Sequence, residues 1–187
     1  YNVYLSKTID GKTTVLSDTL ELQVKPLKEQ SLKGSEYEEL QEYWNDLSEL
    51  HAEISKFKKE LKRTYLKVKA FRRALSRADK SDNDLEEDIH TLMKELQDLH
   101  KEVYGSPSKS EIGEKDKETF SSRFNKVYRS ARNNTYGPTG NLNKSLATAK
   151  KEFGIVGSKL KIIINETIPA IDKRLKDIGA PIIEGIE

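Results

Sequence analysis

The chain has 187 residues, 34% of them charged and 35% hydrophobic, and Lys+Arg (33) so nearly balance Asp+Glu (31) that the formal charge is only +2. This is too apolar for a disordered segment, polar enough for long helices with wide solvated faces, and too evenly charged to make nucleic acid or an anionic membrane the default partner. With no cysteine there is no disulfide, cysteine-ligated zinc or thiol nucleophile, and no apolar run of about 18 residues exists to span a membrane.

Residues 1–26 read as β-structure. Tyr1, Val3 and Leu5 alternate with other residues and give one apolar strand face. Asp10-Gly11 predicts a tight hairpin turn, because a primed turn needs positive φ and glycine supplies it without strain. Leu20, Leu22 and Val24 alternate again, and Pro26 ends the strand. So few strands bury no core of their own. Together with a start at Tyr1 and no signal-peptide pattern, they suggest a piece cut from a longer protein.

A polar linker over 27–34 leads to a helical domain over 35–187. Ser35 and Glu38 have the spacing of a capping box. Leu40, Leu47, Ile54, Leu61, Val68 and Leu75 recur at heptad spacing, with Tyr43, Leu50, Phe57, Thr64 and Phe71 between them. That stripe predicts one very long helix, roughly 60 Å, that must face another helix. After a polar connection with Ser81 and Asp82 as caps, Leu85, Ile89, Leu92, Leu96, Leu99 and Val103 predict a second helix stopped by Gly105 and Pro107. The short connection makes the two antiparallel neighbours with a shared apolar seam.

Residues 105–117 are expected to form a polar loop. Phe120, Phe124, Val127, Tyr128 and Ala131 then share one face of a shorter helix, and 133–140 is a turn cluster. A fourth helix carries Leu142, Leu146, Ala149, Phe153, Val156, Leu160, Ile163 and Ile164. Pro169 predicts a kink or break before Ile171, Leu175 and Ile178 resume the pattern, and the apolar tail 182–187 is expected to dock on the bundle. The fold class is therefore mainly α: a long antiparallel bundle of about four helices behind a short β-hairpin.

No residue set points to catalysis, a cofactor or a metal. Glu87 and His90 have the E-x-x-H spacing of di-iron bundles, but those sites need a second such motif, and Gln97 to His100 offers glutamine instead. The plainer reading is a solvated helix face. The remaining carboxylates sit at helical spacing from Lys and Arg and read the same way, not as a glycosidase pair. The basic run Lys56, Lys58, Lys59, Lys62, Arg63, Lys67, Lys69, Arg72 and Arg73 is interleaved with Phe57, Tyr65 and Phe71, as a nucleic-acid platform would be. Phe57 and Phe71 are core positions, however, and the acidic start of the second helix (Asp84, Glu86, Glu87, Asp88) is expected to neutralise part of the run. No nucleic-acid partner is expected.

Two segments resemble a known family. Tyr1 to Val24, with its tyrosine strand, Asp10-Gly11 turn and closing Val24-x-Pro26, looks like the last strands of an Ig-like or flagellar-hook-cap-like module. Pro169-Ala170-Ile171-Asp172, Leu175, Gly179, Pro181 and Ile183 resemble the closing helix of large bacterial sortilin-like β-propeller proteins, BNR-repeat and glycosyl-hydrolase-like. The order of β module, charged helices and closing helix is similar over nearly the whole chain. The resemblance implies an exported, extracytoplasmic protein whose propeller lies upstream, so no catalytic residue carries over to this chain. It implies a non-catalytic accessory or assembly domain that packs on that propeller or on a second copy. The alternatives are a free-standing coiled-coil adaptor for a partner helix and, more remotely, a hydrolase fragment carrying its own site.

Overall fold

A computed structural model of the chain describes residues 1–25, 34–134 and 136–181. The chain divides into two compact units, Tyr1–Gly34 and Ser35–Glu187. Pro26, the rest of the predicted linker up to residue 33 and the tail 182–187 lie outside the described residues.

In the first unit β2 (Ser6–Ile9) pairs antiparallel with β3 (Lys12–Val15), and β1 (Asn2–Val3) with β4 (Leu20–Glu21). Asp10 and Gly11 both take positive φ, 49° and 76°, which is the turn the sequence predicts. Leu5 donates its N–H to Ser17 Oγ, so the two ladders are joined through an interruption and not as one regular ribbon. Every residue from Tyr1 to Lys25 is exposed, including the apolar ones on both faces.

The second unit is a bundle of α1 (Tyr37–Leu75), α2 (Asn83–Tyr104), α3 (Pro107–Glu111), α4 (Phe120–Arg132), α5 (Gly140–Ile162) and α6 (Ile168–Asp177). The heptad stripe of α1 is buried from Leu47 to Phe71, with Thr64 buried among the apolar residues; Leu40, Tyr43 and Leu75 at the two ends are half-buried. All six predicted apolar positions of α2 are buried as well. Asp82, Thr119 and Thr139 cap α2, α4 and α5 by accepting the N–H of Leu85, Ser122 and Leu142.

The four main helices form three rods. Tyr104 at the end of α2 lies under Lys58 Nζ, 5.5 Å from the ring centre, so α2 runs antiparallel to the second half of α1. Phe120 is 6.4 Å from Phe57 and Tyr128 is 5.0 Å from His51, so α4 runs antiparallel to the first half. Lys150 pairs with Asp46 at 2.6 Å, Phe153 packs on Phe57, and Arg174 reaches Asp82. The segment from α5 through α6 therefore runs parallel to α1 along its whole length. The reason is length: α2 (22 residues) and α4 (13) are each too short to cover the 39 residues of α1, and together they nearly match it.

Three local features depart from the sequence expectations. The loop after Gly105 is not wholly irregular: Pro107 opens the short helix α3, where its missing N–H costs nothing. Asp116 pins that loop by accepting the N–H groups of Ser106 and Lys117. Pro169 does not break its helix. A π-helical turn over Ile163–Thr167 precedes it, with Ile168 N–H bonded to Ile163 O, and the backbone stays helical throughout. The wider turn places Pro169 at the start of α6, where an absent N–H is tolerated.

The third departure is the start of α1. No capping box forms: Glu36 occupies the cap position and makes no side-chain cap bond. Ser35 is committed elsewhere. Its N–H donates to Tyr136 O at 2.8 Å and its side chain lies against Gly137. Gly137 has φ 103°, and a Cβ there would sit 2.7 Å from Ser35 Cβ. Gly137→Ala is therefore expected to destabilise the bundle by about 1–3 kcal/mol, through strained backbone and the displaced start of α1. Urea unfolding of the variant checks this; an unchanged midpoint would show that the contact is not held.

Candidate interaction surfaces

The residues singled out for metal chemistry do not assemble. Glu87, His90, Gln97 and His100 are all exposed on α2, and Asp98 pairs with Lys101 one turn away. Among the described residues no group of three or more His, Asp or Glu side chains is placed to share a metal ion. Nor is any described helix long and apolar enough to cross a membrane.

Several carboxylates join different helices, where the sequence suggested neighbours along one helix. Within one helix, Lys56–Glu60 and Lys176–Asp172 pair four residues apart and Lys101–Asp98 three apart among the described residues. Between helices, Arg123 of α4 reaches Glu152 of α5, Lys159 of α5 reaches Glu102 of α2, and Arg174 of α6 holds both Asp82 and Asp88. These pairs fix the register of the rods.

Three carboxyls are held below their ordinary values. For Asp82 the main cause is the Leu85 N–H bond, then Arg174; for Asp116 it is the Ser106 N–H; for Glu118 it is the Lys126 ammonium. The folded state thus prefers each of them ionised. Their contribution is complete above the usual carboxylate range and is lost as pH falls through the depressed folded values. Acid unfolding is expected to steepen below about pH 4, and Asp82→Asn should flatten that limb. A titration followed by circular dichroism that is identical for both proteins would contradict it.

Two grooves of opposite character flank α1. Against α5 a groove of about 590 Å³ is lined by Asp46, Glu49, Glu53 and Glu60, with Lys56, Lys150 and Lys161 and a floor opened by Gly154 and Gly157. Against α2 a groove of about 470 Å³ has an apolar and aromatic floor, Leu61, Leu96, Tyr65 and Tyr104, rimmed by Lys58, Lys62, Lys101 and His100. No carboxylate lines it. Lys58 is half-buried there; its Nζ donates to Ser121 Oγ at 2.7 Å, and burial holds its pKa below the usual lysine value.

The expected partial neutralisation of the basic run by α2 does not reach Lys58 and Lys62. Asp82 and Asp88 are taken by Arg174, and no described ion pair joins α1 to α2. The antiparallel register explains why: it sets Gln97 to Tyr104, not the acidic start of α2, opposite Lys58 and Lys62. Sequence reading treated the run as one face and missed this groove. Composition gave no signal, since Asp98 and Glu102 lie in the same stretch of α2; only the register, which turns Gln97, His100, Lys101 and Tyr104 toward α1, opens the groove. Comparison with protein-family models, curated proteins and solved structures finds no match for this chain.

Proposed function

We propose that this chain is a non-catalytic C-terminal accessory or assembly domain of a larger exported protein, of the sortilin-like, BNR-repeat, glycosyl-hydrolase-like β-propeller class. The observation that carries the reading is the first unit. Val3, Leu5, Ile9, Val15, Leu16, Leu20, Leu22 and Val24 are all about half exposed or more, on strands too few to enclose them. Such a surface fits strands of a β module that further polypeptide completes. The likeness of the closing segment from Pro169 to Ile183 supports the same reading. The domain works without metal or cofactor in this account, and its partners are the upstream propeller or a second copy, not nucleic acid.

The rival reading, a coiled-coil adaptor that offers α1 to a partner helix, draws less support. The heptad stripe of α1 is already consumed by α2, α4, α5 and α6 within the chain. A hydrolase with its own site draws less still, since of the carboxylates in the α1–α5 groove Asp46 is paired with Lys150 and Glu60 with Lys56.

Hydrogen exchange tests the proposal. The amides of Val3, Leu5, Leu20 and Leu22 are expected to exchange much more slowly in the chain extended by its natural upstream sequence than in residues 1–187 alone. Equal exchange in both, or glycoside turnover by the 187-residue chain that disappears on replacing one carboxylate, would sink it.

A further inference from the structure

We propose that the groove between α1 and α2 binds an acidic polypeptide segment that inserts an aromatic or aliphatic side chain. The charge on the occupant follows from the rim. Lys58, Lys62, Lys101 and His100 converge on one opening that no Asp or Glu lines. The ammonium groups of Lys58, Lys62 and Lys101 repel one another, and Lys58 is in addition partly withdrawn from water with only a hydroxyl as hydrogen-bond partner. A carboxylate brought to this rim relieves both costs. Lys150, Lys159 and Arg174 each have a carboxylate from another helix, whereas among the described residues Lys58 and Lys62 have no carboxylate partner and Lys101 has only Asp98 of its own helix.

The apolar part of the occupant follows from the floor. Tyr104 is 53% exposed, with Lys58 Nζ over its ring and the His100 ring 4.5 Å away, so an aromatic surface stands at the opening beside an ammonium. Leu61 and Leu96 close the bottom. A volume of about 470 Å³ accepts one or two large side chains. A polypeptide is favoured over a small ligand because the pairing of cation and aromatic recurs further along α1. Lys69 Nζ lies 4.8 Å from the Tyr65 ring centre, which carries the same pairing of cation and aromatic roughly 16 Å along α1 from Lys58. Lys62, Lys69 and Arg72 are all exposed and without a described ion-pair partner. Only an extended or helical segment engages both ends. A nucleic-acid strand also meets a basic track, but the deep apolar floor adds nothing to a phosphate backbone and favours an anchored peptide.

Calorimetry on the 187-residue chain tests this with a synthetic unlabelled peptide of alternating Glu-Glu-Phe and Glu-Glu-Leu units. Binding is expected, with loss when Glu is replaced by Lys, and with weakening when Phe and Leu are replaced by Ser. Lys62 and Lys101 are exposed and outside the core, so Lys62→Gln with Lys101→Gln leaves the fold intact and is expected to weaken binding at least about tenfold. Lys144→Gln with Lys151→Gln makes the same charge change on α5, and is expected to leave affinity within about twofold. Absence of binding, equal loss in both double variants, or oligothymidine binding as tightly as the peptide would each overturn the proposal.

Discussion

Replacing Leu61 by alanine is expected to destabilise the bundle by about 2–5 kcal/mol. Leu61 is 3% exposed and packs at the seam of α1 and α2, across from Leu96. Truncation loses the transfer energy of the side chain and leaves a void that two straight helices, tied by their other contacts, close only in part. The void would open into the groove above, so the lower half of that range is favoured if water enters it. Urea unfolding followed by circular dichroism reads the effect as a lower midpoint at unchanged slope. A midpoint equal to the parent's would mean that the seam is not closed in solution.

Phe57→Ala is expected to cost more, about 3–5 kcal/mol, because Phe57 is where the three rods meet. Its ring stands edge-on to Phe120 of α4 at 6.4 Å and to Phe153 of α5 at 5.6 Å, and those two rings are 5.6 Å from each other. Leu61 joins one pair of helices, whereas Phe57 holds the second half of the composite rod and the third rod at once. For a domain of ordinary stability the loss is a large fraction of the whole. The three rings should also act as a unit: Phe57→Ala and Phe153→Ala together should cost less than the sum of the two, with a coupling of about 1 kcal/mol. Strict additivity in the double-mutant cycle would show that the rings pack independently.

Much of the helical architecture was legible from spacing alone. Leu47 to Phe71 in α1 and Leu85 to Val103 in α2 are buried where the periodicity placed them, since a helix with one apolar face has no other way to shield it. Asp10-Gly11 was legible for a local reason: only a narrow set of residues takes positive φ at both turn positions. The start of α1 was not legible, because Ser35 had a competing partner far along the chain, at Tyr136, and a sequence motif carries no information about such a rival. At Pro169 the sequence left a kink or a break open, and it carried no sign of the π-helical turn by which the helix continues. Propensity predicts the cost of a proline in a regular α-helix, while the chain avoids that cost by changing the helix type one turn earlier.

The charged groups divide along the same line. Their number and near balance are properties of the sequence, as is the absence of cysteine. Their pairing is not. Local spacing offered Asp84 to Asp88 as counter-charges for the basic run of α1, and the antiparallel packing sent Asp82 and Asp88 to Arg174 and left Lys58 and Lys62 facing Tyr104 and Lys101.

By itself, then, the sequence determined which long segments are helices, which side of each is apolar and where the tight turn falls, because these follow from periodicity and backbone sterics within a few residues. The tertiary structure alone decided that α2 and α4 lie end to end as one rod, which cations keep no partner from another helix, and where an aromatic floor opens between them. Those outcomes depend on the relative lengths of helices and on the register between them, and both are set by packing between residues distant in the chain, which no local pattern records.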